Sequence, residues 1–267
     1  MKGRDQRSAL ARFLLSIAML QNATCSFAPG NPPIASSHIL LVRHAQRIDF
    51  VERDWSRDAA NPFDPYLTVE GKAEATKLGL HLQDSGITNV ISSPFIRAVY
   101  TAQYAATRIE QLFNIDVEPG VGEFLHRSFF PEAMDINSFW STSQTLKPIC
   151  AFINEKYNPI LTPNFPESIQ EFRQRCTHVL ERIIERYKGS KVMIVTHAFF
   201  IEVALKHLLP DLHVPEILEC SITEIVQDER TGMWSIARLG DRTYLDEEYD
   251  DFDSVFDEVD PSALHPD

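Results

Sequence analysis

Residues 39–47 read ILLVRHAQR. Four apolar side chains run straight into Arg43 and His44, and a second arginine follows at Arg47. A short apolar run of this kind suits a buried strand. Its polar end does not suit a structural histidine, because two flanking cations repel the protonated ring. The pattern fits a neutral imidazole used as a nucleophile, with arginines that hold a phosphoryl group beside it.

Working outward, apolar runs alternate with amphipathic segments from residue 38 onward. That alternation predicts an α/β domain with a largely parallel sheet. The runs fall at 38–42, about 88–91, about 113–117, 191–196 and about 221–226, and the last can pair with 233–238 as an edge hairpin. In residues 92–113, SSPFIRAVYTAQYAATRIEQLF, Ser93 reads as an N-cap and Pro94 as the first helical residue. Ala98, Ala102, Ala105, Ile109 and Phe113 then form one apolar face. In residues 167–189, Ser168 and Glu171 make a capping box. There Ile169, Phe172, Cys176, Val179, Ile183 and Tyr187 make the stripe, and Gly189 suits the stop. A third helix covers 68–86, started by Thr68 and Gly71, with Ala75, Leu78 and Leu82 inward.

The 267 residues allow one large domain or two small ones, and 44% hydrophobic content suffices for a sizeable core. The formal charge of −13 argues against wholesale binding of nucleic acid or an anionic membrane. Nine of the acids lie in 246–260, and removing nine from −13 leaves a body at only −4. A cationic pocket in that body is therefore compatible with the total. Residues 246–267 are expected to be an acidic, solvated tail. The four cysteines form no CxxC pair, and Cys176 and Cys220 read as small core residues.

Residues 1–37 read as a leader plus linker. A basic start, the eight-residue run FLLSIAML and the small residues after it resemble a secretory signal, too short to span a bilayer. Three cysteines would remain after cleavage, an odd number with no disulfide pattern. The cytoplasmic reading is preferred on that ground, with secretion as the alternative. The domain itself is expected over 38–245. Residues 122–165, less periodic and holding Trp140 and several prolines, are expected as an insertion that shapes a pocket.

Ligands of open parallel sheets sit at the carboxyl ends of the strands. Arg43 and His44 follow the first run, Ser92, Ser93 and Arg97 the second, and Thr196 and His197 the run KVMIV. Transfer of a phosphoryl group to histidine needs a neutral ring, preorganised donors for the equatorial oxygens and an acid for the leaving oxygen. Arg43, Arg47, Arg97 and a cationic His197 could supply the donors. Ser93 is read as a helix cap, not a phosphate ligand. His81, His126, His178, His207 and His213 follow no metal-ligand pattern, so no metal and no cofactor is expected.

The segments LVRHAQR, LTVEGKAEA, SSPFIRAVYTAQ, VEPGVGEF and IVTHAFF resemble, in order and spacing, the histidine phosphatase superfamily. The resemblance covers roughly residues 38–240. It implies the three-layer phosphoglycerate mutase-like fold, with a mostly parallel central sheet and helices on both faces. The Arg-His-Ala-x-Arg form departs from the common Arg-His-Gly through Ala45. It is similar to the branch of the suppressor of T-cell receptor signalling and ecdysteroid-phosphate phosphatases. Gln46 replaces an acid common in that branch.

The resemblance implies His44 as the nucleophile, and Arg43, Arg47 and Arg97 as the phosphate clamp. It implies His197 as the second pocket histidine and Glu123 as the proton donor. Ala198 stands where the acid phosphatase branch has its acid, which favours Glu123. Glu118, before Pro119 in strand-like sequence, reads as structural. The expected activity is a metal-independent phosphomonoester hydrolase working through phosphohistidine. Its substrate would be a phosphorylated small molecule or phosphoprotein, with phosphotyrosine or another bulky ester favoured. Alternatives are a phosphoglycerate mutase-type phosphotransferase and a catalytically weak phospho-ligand binder. Phe50, Trp55, Phe63, Phe124, Phe199 and Phe200 could line the leaving-group side. Related domains allow a homodimer.

Overall fold

The computed structural model describes residues 37–109, 114–130, 146 and 150–248. The leader, Phe113, Trp140 with the centre of the 122–165 segment, and the acidic run from residue 249 lie outside the described residues.

Six strands form one sheet: β1 (His38–Arg43), β2 (Asn89–Ser92), β3 (Ile115–Val117), β4 (Lys191–Thr196), β5 (Ile222–Gln227) and β6 (Trp234–Asp241). Their order is β3-β2-β4-β1-β5-β6. The four strands from β3 to β1 are parallel, while β5 and β6 close one side as an antiparallel hairpin. The expected runs and the edge hairpin are therefore all present. Four longer helices complete the fold: α1 (Val69–Leu82), α2 (Ile96–Ala106), α3 (Ile169–Arg186) and α4 (Ala198–Leu208).

Side chains alternate across a strand, so each strand feeds two cores. Leu40, Val42, Val90, Met193 and Val195 pack on one face with α1 and α2. Ile39, Leu41, Ile91, Val192 and Ile194 pack on the other with α3 and α4. This double burial explains why β1 and β4 read as continuous apolar runs. The architecture is the expected α/β one, with a mostly parallel central sheet and helices on both faces. Among the described residues no helix is long and apolar enough to cross a membrane.

Two helix starts differ in kind. At α3 the capping box forms as expected, with Ser168 and Glu171 each accepting from the other's backbone N–H. Phe172, Cys176, Val179 and Ile183 are buried, but Ile169 is 49% exposed. Periodicity gives the face of a helix, not where the covering layer ends. At α2 the expected cap is wrong. The helix begins at Ile96, and neither Ser93 nor Pro94 starts it. The Ile96 N–H donates instead to the Asp64 carboxylate, at 2.9 and 3.2 Å to its two oxygens. That partner lies 32 residues earlier, beyond the reach of any local pattern.

Glu118 is structural, as expected. It is fully buried and accepts from the N–H groups of Gly120, Ile160 and Leu161 and from the Tyr157 hydroxyl. It thereby ties the end of β3 to the chain around residue 160.

The start of α1 grips the turn that follows β1. The Thr68 N–H donates to the Gln46 carbonyl at 3.1 Å, and the Gln46 N–H donates to Glu74 at 2.9 Å. A methyl group on Gly71 would fall on that same Gln46 carbonyl. Ala for Gly inside a helix normally adds about 1 kcal/mol of stability. Here the overlap with backbone should outweigh it, and overpacking of this kind costs about 1–3 kcal/mol. Gly71→Ala is therefore expected to lower the chemical denaturation midpoint, and a raised midpoint would show that α1 can move away from the turn.

Candidate active site

The adjacency of β2, β4 and β1 brings three carboxyl ends together. The His44 N–H donates to the Thr196 carbonyl at 2.9 Å, and the Ser93 N–H to the Val195 carbonyl at 2.9 Å. The Glu118 N–H reaches Ser92 at 2.9 Å, so the loop after β3 joins the same edge. Each strand then delivers its polar residues to one place.

His44 is 2% exposed. Its Nδ1 lies 2.9 Å from the Ala45 carbonyl oxygen. A carbonyl only accepts, so Nδ1 carries the proton and the Nε2 lone pair is free. Burial, and then the charge of Arg97, hold the ring well below the usual histidine range. His44 is therefore a neutral imidazole with a fixed tautomer.

His197 follows β4, just before the first residue of α4, and is completely buried. Its ring centroid is 5.3 Å from that of His44. Nε2 is 2.8 Å from the Ser93 hydroxyl, while Nδ1 is 3.3 Å from Arg97 Nη2 and 3.4 Å from Glu123 Oε2. Burial, then Arg97 and His44, push its pKa well below the ordinary value. The expectation of a cationic His197 is not favoured in this site without an anion, where the same arginines that favour a neutral His44 act on its neighbour. The geometry also gives Ser93 a role at the site, as the partner of His197 Nε2.

Arg97 projects from the first turn of α2 and is 2% exposed. Nη2 is 3.4 Å from Glu123 Oε2, and Nη1 is 3.6 Å from Asp64 Oδ1. Burial first, then the neighbouring Arg47, lower its pKa to about 10, so it keeps its charge at neutral pH. Its Nε and Nη1 meet no hydrogen-bond acceptor among the described residues. Asp64, itself buried, has its pKa raised to about 7, chiefly by burial. Arg43 donates to the Ile217 carbonyl at 2.8 Å and stands 3.8 Å from Glu219.

Arg47 makes a two-pronged pair with Asp49, at 2.6 and 2.7 Å, and lies 4.6 Å over the Phe50 ring. Its charge is thus partly engaged by an acid that the sequence reading did not single out. Glu123 accepts from the Phe124 N–H at 3.0 Å through Oε1 and turns Oε2 toward Arg97 and His197.

These residues surround a cavity of about 550 Å³. Arg43, His44, Arg47, Arg97 and Glu123 line it, and His197 stands behind them. Apolar side chains complete the lining: Phe50, Pro62, Phe63, Phe129, Phe130 and Phe199. Of the aromatics anticipated there, Phe50, Phe63 and Phe199 line it. Trp55 instead packs edge-on against Tyr66, Phe124 packs on Phe172, and Phe200 is core. Phe129 and Phe130 were missed, although the doublet SFFP in an aperiodic stretch was a usable signal. Asp64 and Asp49 were missed because their partners are distant or conformational.

The arrangement can hold a tetrahedral anion. Three guanidiniums, two of them with N–H groups that meet no acceptor among the described residues, line the same cavity as His44. The first turns of α2 and α4 add the positive ends of two helix dipoles. Among the described residues no group of three or more His, Cys, Asp or Glu side chains converges as a metal-binding set.

Comparison with known proteins places this geometry. The chain is 26% identical over 219 residues to phosphoglycerate mutase-like protein 4 of Arabidopsis thaliana, covering 79% of this chain and 88% of the relative. It is 22% identical over 242 residues to the ecdysteroid-phosphate phosphatase of Drosophila melanogaster, covering 74% of this chain and 31% of that longer protein. Among solved structures it superposes on the ecdysone phosphate phosphatase of Bombix mori in complex with tungstate. The TM-score is 0.62 at 20% identity, over 77% of this chain and 93% of the other. The phosphoglycerate mutase of Bacillus anthracis gives 0.56 at 21% identity, over 80% and 96%. At such identities the superpositions speak for the fold. The sequence profile of the histidine phosphatase superfamily (branch 1) matches residues 39–242, and the chain belongs to that family.

Proposed function

We propose that the protein is a phosphomonoester hydrolase that needs no metal and works through a phosphohistidine on His44. One observation carries this reading: a neutral, tautomer-fixed His44 offers its Nε2 lone pair to a cavity walled by Arg43, Arg47 and Arg97. In the first step Nε2 attacks phosphorus and the phosphorus–oxygen bond to the leaving group breaks. Glu123 gives a proton to the departing oxygen. In the second step water attacks phosphorus, Glu123 takes a proton from it, and the nitrogen–phosphorus bond breaks to release inorganic phosphate. The arginines meet the charge on the equatorial oxygens in both steps.

The apolar wall supports a bulky, apolar leaving group. Phe129 and Phe199 stand 6.4 Å apart at 30°, both half-exposed at the mouth. A mutase would need a cation to read the substrate carboxylate. Among the described residues the cations lining the cavity are Arg43, Arg47 and Arg97, the three that the phosphoryl group itself would use. That favours hydrolysis over isomerisation, while the names of the relatives divide, the Drosophila one a phosphatase and the Arabidopsis one phosphoglycerate mutase-like.

His44→Ala is expected to lower kcat/KM for 4-nitrophenyl phosphate by about 10⁴-fold or more, because no other group replaces the nucleophile. The assay is run with EDTA present. Near wild-type turnover in the variant would sink the phosphohistidine mechanism, while isomerisation of 3-phosphoglycerate by the wild type would favour the mutase. Phe129→Ala and Phe199→Ala should each raise KM for aryl phosphates about two- to tenfold and leave KM for a short alkyl phosphate nearly unchanged. Equal effects on both substrates would remove the argument for an apolar leaving group.

Both imidazoles are neutral in the fold, whereas an unfolded histidine takes up a proton near 6.5. Below that value the unfolded chain binds more protons, so the folded form loses stability as pH falls. Thermal melts between about pH 7.5 and 5.5 should show this loss, and His197→Asn should flatten it. An unchanged slope in the variant would mean that His197 titrates in the fold as it does in the unfolded chain.

A further inference from the structure

Glu123 sits on an aperiodic loop, yet its reach toward Arg97 and His197 depends on that loop's position. The loop is held from behind by a single guanidinium. Arg175, in the second turn of α3, is 5% exposed. Its Nη1 donates to the carbonyls of Gly120 and Gly122 at 2.8 and 3.2 Å, and its Nη2 to the carbonyl of Glu123 at 2.9 Å. Nε and Nη2 also pair with the two oxygens of Glu167. Five N–H groups thus meet five acceptors.

Glu167, 4% exposed, completes the frame. It accepts from the Leu125 N–H at 2.9 Å, and its own N–H donates to the Leu125 carbonyl at 3.0 Å. On the other side the Thr196 hydroxyl donates to the Val121 carbonyl, one residue before His197. The backbone from 120 to 125 is therefore fixed between α3 and the end of β4.

We infer that Arg175 and Glu167 are positioning residues for Glu123, fixing the carboxyl group where it can protonate the leaving oxygen. The inference rests on the proposed acid role of Glu123. Stability alone is a poor reason for this pair, since a buried ion pair often stabilises no more than apolar residues of the same volume. A planar fork, in contrast, sets three carbonyls in fixed relation, which a lysine cannot do. Misplacement by about 1 Å can cost about 10²-fold in rate.

The test uses leaving groups. An acid matters little when the leaving group is 4-nitrophenolate and greatly when it is phenolate. Glu123→Gln should lose about 10²-fold more kcat/KM on phenyl phosphate than on 4-nitrophenyl phosphate. Arg175→Lys should show the same selective loss, about tenfold or more, and should add little in the Glu123→Gln background. If Arg175→Lys fails to fold, Glu167→Gln carries the same comparison, because its amide N–H would meet the Arg175 Nε–H and weaken the hold on the guanidinium. A loss by Arg175→Lys that is equal on both substrates, or that multiplies with that of Glu123→Gln, overturns the positioning role alone. If Glu123→Gln itself shows no leaving-group dependence, Glu123 is not the acid, and both its assignment and this inference fall.

Discussion

Arg97 is a full positive charge at a place that water barely reaches. Burying an ion without a partner costs several kcal/mol, and the cost is met only by close, well-aligned counter-charges. Here the counter-charges are near but loose. Asp64 and Glu123 stand 3.6 and 3.4 Å away, and Asp64 itself is held toward its neutral form by burial. The guanidinium therefore keeps N–H groups without acceptors among the described residues. A buried cation left short of partners is a strong binder of a small dianion. The rest of the site follows from where that cation is fixed.

Its position is set by backbone, not by ion pairs. Asp64 accepts from the first N–H of α2, and Thr101 one turn later accepts from the Ala45 N–H at 3.0 Å. The same helix thus carries Arg97 and steadies the residue whose carbonyl fixes the His44 tautomer. Gln46, the next residue, is held by α1. The proposed nucleophile and its nearby cation are coupled through two helices on one face of the sheet. The proposed acid is coupled to the other face, through α3. The sheet edge is where the two halves meet.

Much of this could be read from the chain. The continuous apolar runs, the capping box and the Arg-His and Thr-His strand ends are local signals, and parallel strands carry such ends to one edge. Arg43, His44, Arg97, Glu123 and His197 come together for that reason. What could not be read depends on partners far along the chain. Asp64 caps a helix 32 residues away, Arg175 reaches carbonyls more than 50 residues back, and Ser93 serves a histidine 104 residues on. Propensity placed Ser93 at a helix start, and tertiary contacts took it elsewhere. Arg47 was legible as a cation, but its engagement by Asp49 depends on the turn that follows.

The neutral state of His197 changes how the charges of the site fit together. A histidine ringed by arginines and a second imidazole is a hydrogen-bond acceptor and donor, not a fixed cation. When a phosphoryl dianion enters, its negative charge acts on His197 in the opposite sense to Arg97. The ring can then take up a proton as the anion binds. Binding of the dianion and proton uptake by His197 are then linked, each favouring the other. A proton held at Nδ1 would lie next to Glu123 Oε2 and Arg97 Nη2, the same atoms that the proposed mechanism uses.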